Sequence, residues 1–499
     1  MKKKYLKELR KRKKKIERRL DPSENMEDRG PVFRSKKFEY EFSQRVNAIS
    51  AGGIGVVHQM VNMLGLQEEI DRNLELLKIH LPYHESDHVL NIAYNILCGG
   101  CRLEDIESNR KDEGFLNAMG AERIPDPTTA GDFTRRFDSD SIETLMECIN
   151  RVRKKVWKNR PELLSGEIIL DIDGTIAPVE GECKEGMNLS YKGIWGYSPL
   201  ILSLANTKEV LYLKNRPGNV PSHQDAAEWI DRACELVGGF GNKIVLRGDT
   251  DFSQTRHLDR WDRQGIEFVF GMDARANLVS IAEGLPERAW KRLSRQPRYE
   301  VATRARRRPE NVKERIVREK GFKTLRLNGE EVAEFEYRPT ACKRPYRMVV
   351  VRKNISVEKG ESVLFDEIRY FFYITNGVDR SAEETVLFAN QRCDQENVIE
   401  QLKNGVHAMR MPTSDLESNW AYMVIATLAW NLKAWMAFYV PDKPTRTEIL
   451  KMEFRRYLRS FIMIPAQVIR SGRRIVFRYL AYTEHLEIVL RTYDRLRCV

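Results

Sequence analysis

Apolar positions change their spacing several times along the chain. Through Val56–Leu66 and Val89–Leu97 they recur at helical intervals, so residues 40–160 read as helical. Pro125-Asp126-Pro127-Thr128-Thr129 is a turn, and a threonine there can cap a helix through Phe133–Phe137 that carries Arg135 and Arg136. Short helices ending in an Arg-bearing member fit a helix-turn-helix-like DNA reader; they fit a plain helical bundle equally well. From about residue 165 the spacing shortens. Glu167–Asp173, Pro199–Ala205, Val210–Leu213, Lys243–Gly248 and Glu267–Gly271 read as strands, with helices at Ser222–Val237 and Ser253–Arg263. That order describes a mixed α/β sheet. Residues 285–365 break the alternation, with a basic approach and a strand at Tyr346–Arg352. A strand Tyr370–Thr375, a long helix Ala382–Asn404 and a helix Leu416–Val440 follow.

Charge sharpens this picture. The chain has 84 Lys+Arg and 72 Asp+Glu, a net +12. Residues 1–20 hold twelve of the cations against Glu8 and Glu17, or +10, which leaves +2 for the rest. A polyanion partner must therefore be met by local patches. Three exist: the N-terminal arm, Arg288–Arg308 and Lys451–Arg478. With 42% apolar residues the chain can bury several cores, which excludes wholesale disorder. Eight cysteines without a framework exclude a disulfide scaffold and point to free thiols in a reducing cytoplasm. Ala421–Val440 is long enough for a membrane span, but Asn431 and Lys433 sit mid-segment, so it reads as a buried helix.

The chemistry lies in carboxylates. Ile168-Ile169-Leu170-Asp171-Ile172-Asp173 and Ile244-Val245-Leu246-Arg247-Gly248-Asp249 are apolar strands that each end in an acid. Ligands of α/β sheets sit outside such strand ends. Hard divalent cations need oxygen ligands, and two of them can clamp the attacking and leaving oxygens of a phosphodiester. Further on, Arg392, Glu396 and Lys403 follow R-x3-E-x6-K, which puts all three on one helical face. An acid between two cations suits a metal–phosphate site; it also suits ordinary ion pairing on a solvated helix.

Taken together, Asp173-Gly174-Thr175, Asp249-Thr250-Asp251-Phe252 and Arg392-x3-Glu396-x6-Lys403 resemble bacterial insertion-sequence transposases of the DDE type, most of all the insertion-sequence thirteen-eighty family. Tyr197-Ser198-Pro199-Leu200, Arg216-Pro217-Gly218-Asn219, Ile374-Thr375-Asn376 and Asp126–Phe137 add to the likeness. The resemblance implies an RNase H-like mixed-sheet catalytic core interrupted by a β-rich insertion, an N-terminal helical DNA-binding domain and a helical C-terminal region. The expected division is a basic arm 1–30, a helical DNA-binding domain 31–160, the core in two parts at 161–284 and 367–445, the insertion at 285–366 and a basic C-terminal region 446–499. It implies Asp173, Asp249 and Glu396 as catalytic ligands of two Mg²⁺ ions, with Mn²⁺ as a substitute, and Arg392 and Lys403 on DNA. The partners implied are double-stranded DNA, as element ends and target, and a second copy of the chain, in a cytoplasmic, nucleoid-associated setting with no membrane. Arg135, Arg136, Arg306, Arg307 and Arg308 are expected on DNA, and Trp290 either stacks on a flipped base or is packed.

Two departures leave rivals open. Related signatures begin with Tyr three residues before the Arg; here that position is Ala389, with Phe388 next to it. Relatives carry Asp-x-Gly-Tyr at the second acid, whereas Asp251 here competes with Asp249, as Asp171 does with Asp173. Asp171-Ile172-Asp173-Gly174-Thr175 also matches the first motif of haloacid-dehalogenase-like phosphatases, with Asp171 as nucleophile. A descendant that binds DNA ends without cutting is the non-enzymatic alternative. Cys98/Cys101 lacks a second pair, and Pro82 interrupts the His80/His84/His88 spacing, so neither reads as a zinc site.

Overall fold

The computed structural model describes residues 3–21, 39, 46–80, 82–295, 311–360, 362–472 and 474–498. Its centre is a nine-stranded mixed sheet. In chain order the strands are β1 Glu167–Gly174, β2 Leu200–Leu204, β3 Glu209–Lys214, β4 Lys243–Gly248, β5 Glu267–Met272, β6 Lys291–Arg292, β7 Lys323–Tyr337, β8 Tyr346–Lys359 and β9 Ser362–Thr375. Across the sheet they run β6-β7-β8-β9-β5-β4-β1-β2-β3. β1, β2 and β3 form an antiparallel meander, while β4 and β5 lie parallel to β1. Helices Ala226–Val237 and Thr255–Arg263 supply the crossovers that parallel strands require.

The segment expected as an insertion continues this same sheet. β7, β8 and β9 are long antiparallel strands, and the last four residues of β9 pair with β5. The strand expected from Tyr370 starts at Ser362; its first half is exposed on both faces, and Asp366, Glu367 and Arg369 interrupt its apolar residues. The expected Phe133–Phe137 helix is Pro127–Thr134, with Asp126 rather than a threonine as its cap. The Asp126 carboxylate accepts from the Thr129 amide at 3.0 Å and its hydroxyl at 2.7 Å. Arg135 and Arg136 follow the end of that helix and are exposed.

The apolar helix Leu416–Phe438 is buried on every side, and among the described residues no helix is long and apolar enough to cross a membrane. Its polar side chains serve the sheet's edge. An edge strand leaves backbone groups unpaired. Here Asn431 bonds both the N–H and the C=O of Val210 on β3, each at 3.0 Å. Trp420 donates to the Leu213 carbonyl at 2.6 Å and Trp430 to that of Lys208 at 2.7 Å. Lys433 donates to the carbonyls of Leu450 and Met452.

The two ends of the chain meet. Strands Ala466–Ser471 and Arg474–Tyr479 form a small sheet with Asn47–Ile49, and helix Leu486–Leu496 packs on Ile54–Leu64. The described part of the basic arm is the helix Lys3–Leu20; Leu9 is buried and Arg12 donates to the Tyr479 carbonyl at 2.8 Å.

Candidate active site

Asp173 is the penultimate residue of β1, opposite Ile201 of β2. Asp249 follows β4 directly and caps the single turn Thr250–Phe252, its carboxylate accepting from the Asp251 amide at 3.0 Å. Since β1 and β4 are neighbouring and parallel, both acids leave the sheet at the same edge. Asp173 keeps only 14% of its side chain exposed. Burial, and then the charge of Asp249, push its pKa up to about 6 against the pull of Arg392. Asp249 is raised as well, by burial and by Asp251 and Asp273, again against Arg392.

Arg392 enters from a break in what the spacing predicts as one long helix. The chain forms helix Ala382–Asn390, turns at Gln391–Arg392, and resumes as Cys393–Glu400, followed by a wider π turn at Gln401–Gly405. Arg392 sits at the cap of the second helix and donates to Asp173 at 2.8 Å. Burial works against its charge, but the carboxylates of Asp173, Asp249, Glu396 and Asp171 outweigh burial and hold it above its usual range. Glu396 stands exposed in the first turn of that helix and is within electrostatic reach of Arg392. The helix is pinned by buried Gln395, which donates to the carbonyls of Asp171 at 3.0 Å and Ile201 at 3.2 Å. The ion pair Lys208–Asp394, at 2.8 Å, fixes it from the side. Lys403, half-buried on the π turn, is held down by burial and by Lys192 while Glu400 and Asp173 pull the other way.

The rivals separate by environment. Asp171 is only 1% exposed, and both its oxygens are taken by Arg247, at 2.7 and 2.8 Å. Arg247 is its direct cross-strand neighbour on β4. No phosphate can approach a carboxylate so covered, which removes the nucleophile that the phosphatase alternative needs. Asp251 is exposed, and it is its backbone that serves Asp249. Phe388 is 8% exposed with its ring held near the guanidinium groups of Arg247 and Arg380, at 4.7 and 4.1 Å, and Ala389 packs beside it.

The remaining expected contacts lie elsewhere. Arg135 pairs with Asp132 at 2.6 Å, and Arg136 is exposed. Trp290 is 8% exposed, under the guanidinium of Arg352 at 4.4 Å and against Tyr370. Arg306, Arg307 and Arg308 fall outside the described residues. Sequence reasoning missed Gln395, and it missed Asp273, which follows β5 just as Asp249 follows β4. The signal for Asp273 was present: Phe268-Val269-Phe270-Gly271-Met272-Asp273 is a third apolar run closing on an acid.

The model of the family described as "Transposase DDE domain group 1" matches residues 33–499. The chain belongs to that family. No curated protein matches the chain. Among solved structures, this family member is similar to a piggyBac transposase in a synaptic complex with hairpin DNA, at 11% identity over 82% of this chain and 84% of the other. The TM-score of 0.35 makes that likeness too slight to support any residue assignment. DDE transposases as a family generally use divalent metals. Among the described residues, no three carboxylate, histidine or cysteine side chains converge closely enough to form a metal-binding group. The donor chemistry nevertheless fits one: Asp173 and Asp249 are hard oxygen donors whose mutual repulsion a cation would relieve, as Arg392 does now.

Proposed function

We propose that this chain is a transposase that cuts and joins DNA at the terminal inverted repeats of an insertion sequence. The observation that carries the reading is the meeting of Asp173 and Asp249 at one sheet edge with Arg392, which comes from 219 residues beyond Asp173. The strand order β3-β2-β1-β4-β5, with an antiparallel meander and two parallel additions, supports an RNase H-like core. β6–β8 and the first residues of β9 are then the inserted segment 285–366, and the rest of β9 returns to the core before the helix of Glu396.

In this account Asp173 and Asp249, joined by Glu396 once a cation draws the three carboxylates together, would hold Mg²⁺ or Mn²⁺, which would lower the pKa of water and stabilise charge on a phosphodiester. The residues' own part is electrostatic. Asp173 must be ionised, so the site gains its full negative charge above about pH 6. Arg392 offsets that charge until DNA arrives, then shares the phosphate with Lys403. A water oxygen bonds to phosphorus while the bond from phosphorus to the 3′ oxygen breaks. The 3′ oxygen takes up a proton, leaving a 3′-hydroxyl and a 5′-phosphate. Attack of that hydroxyl on a target phosphodiester exchanges one P–O bond for another and needs no energy source.

The basic arm and Arg135–Arg136 would hold duplex backbone, with Arg306–Arg308 as further candidates. Two element ends must be handled together, which makes a homodimer on DNA the expected assembly. The test is cleavage of a plasmid carrying the DNA that flanks the coding region. Wild type should release the intervening segment with Mg²⁺. A chain that binds these ends without ever cutting them is the non-enzymatic alternative.

A further inference from the structure

One exposed feature beside the carboxylates has no part in this chemistry. Residues 188–197 form a hairpin in a small sheet of Ala177–Pro178, Asn188–Leu189 and Trp195–Tyr197. At its tip, the Gly193 amide donates to the Ser190 carbonyl at 2.9 Å, and Ser190 and Ile194 bond through backbone and hydroxyl at 2.9 and 3.1 Å. Gly193 adopts φ of 72°, a conformation that glycine takes without strain. Tyr191 and Lys192 therefore occupy the two corner positions of a closed turn. Tyr191 is 82% exposed and Trp195 is 54% exposed; Leu189, directly opposite Trp195, is exposed too. The Lys192 ammonium lies 5.4 Å from the Tyr191 ring centre.

Bare at the tip, the hairpin is firmly held at its root. A Cβ on Gly196 would lie 2.1 Å from the Ala177 carbonyl, and one on Gly218 within 2.3 Å of two hairpin carbonyls. The fully buried Tyr197 donates to the Glu185 carbonyl at 2.7 Å. Buried Arg216 donates to the carbonyls of Ser198, Ser222 and Gln224, at 2.9, 3.1 and 2.7 Å. The segments Tyr197–Leu200 and Arg216–Asn219, singled out in the sequence without a task, are thus the brace of this hairpin. The brace also sets its position. Ala177 lies three residues past the end of β1, four from Asp173, and the Thr175 amide bonds the Pro199 carbonyl at 3.0 Å. Lys192 and Asp173 both act on Lys403.

We propose that this hairpin is a stacking platform for an unpaired DNA base next to the cut strand, with Trp195 and Tyr191 on the base and Lys192 on the adjoining phosphate. The proposal rests on the DNA-cleaving reading above. A duplex offers phosphates and groove edges, whereas two exposed rings flanking a lysine match the ring faces and backbone of a single strand. Rigidity at the root lowers the ordering cost of binding.

The test uses the full chain in EDTA, with a duplex that carries 2-aminopurine in a short unpaired 3′ overhang. Wild type should quench the fluorophore. Trp195→Ala and Tyr191→Ser should each remove most of the quench and weaken binding of the overhang duplex by about 5- to 150-fold, with blunt-duplex binding unchanged. Trp195→Phe should restore the quench. Unchanged quenching in both variants overturns the platform, and so does an equal loss on blunt duplex. Overturning it too would be self-association abolished by Trp195→Ala with the quench intact, which assigns the hairpin to a second copy. The quench needs no cleavage and the cleavage assay needs no overhang, so the two readings fail separately: a wild type that never cuts the flanked plasmid overturns the DNA-cleaving reading, whatever the overhang duplex shows.

Discussion

Glu209 and Asp173 each meet an arginine, and the two sites are opposite in kind. Glu209, at the start of β3, is fully buried, and each of its oxygens accepts two bonds. One takes Arg153 at 3.0 Å and Trp435 at 2.7 Å; the other takes Trp157 at 3.0 Å and Thr207 at 2.6 Å. This network ties helix Ser139–Asn159 and helix Leu416–Phe438 to the sheet edge. Asp173 accepts from Arg392 and is crowded by Asp249, so its charge is tolerated rather than satisfied. A buried carboxylate with all its lone pairs bonded holds the fold together. One that is desolvated beside a like charge is kept for something not yet bound.

That contrast can be broken by mutation. Glu209→Gln should cost about 3–5 kcal/mol of stability in a denaturant titration, because Arg153 is left buried without its counter-charge; a loss below about 1 kcal/mol would deny the network its role. Asp173→Asn should do the reverse and stabilise the fold by on the order of 1–3 kcal/mol above pH 7. The sign follows from linkage. The folded acid titrates near 6 instead of 3.8, so the native state binds the extra proton between those values. Wild-type stability therefore falls as pH rises from about 4 to about 6, and the advantage of Asn should vanish at the low end of that window. Melting curves of both proteins across that range decide it. Smallest is the effect of conservative exchange at the cations. Arg153→Lys should cost roughly 1–2 kcal/mol, since Arg153 also bonds the Val210 carbonyl at 2.7 Å. Arg392→Lys should change stability by less than about 0.5 kcal/mol, as measured by the same titrations.

The sequence made the acids legible because a strand that runs apolar and then stops at an Asp has few other reasons to do so. It also made the parallel core legible, since β1, β4 and β5 are continuous apolar runs of the kind buried on both faces. The choice between Asp171 and Asp173 was not legible. It depends on Arg247 being the cross-strand neighbour of Asp171, which is a matter of register. The break at Gln391–Arg392 was hidden because the residues on both sides favour a helix, and it is what turns Arg392 toward the carboxylates. For Trp290 the sequence left stacking and packing both open; the packed outcome depends on Arg352, 62 residues later, lying over its ring. Nothing in the sequence marks the hairpin of Tyr191 and Trp195, because its strands are two and three residues long and carry no apolar run.

The central claim is that Asp173, Asp249 and Glu396 form one divalent-cation site that cuts DNA. The most direct measurement is Mg²⁺-dependent release of the flanked segment by wild type, Asp173→Asn, Asp249→Asn and Glu396→Gln, with end binding measured in parallel. Each variant should cut slower by about a thousandfold, the equivalent of several kcal/mol of charge stabilisation, while holding the ends as tightly as wild type. Normal cutting by any one of the three would contradict the shared site.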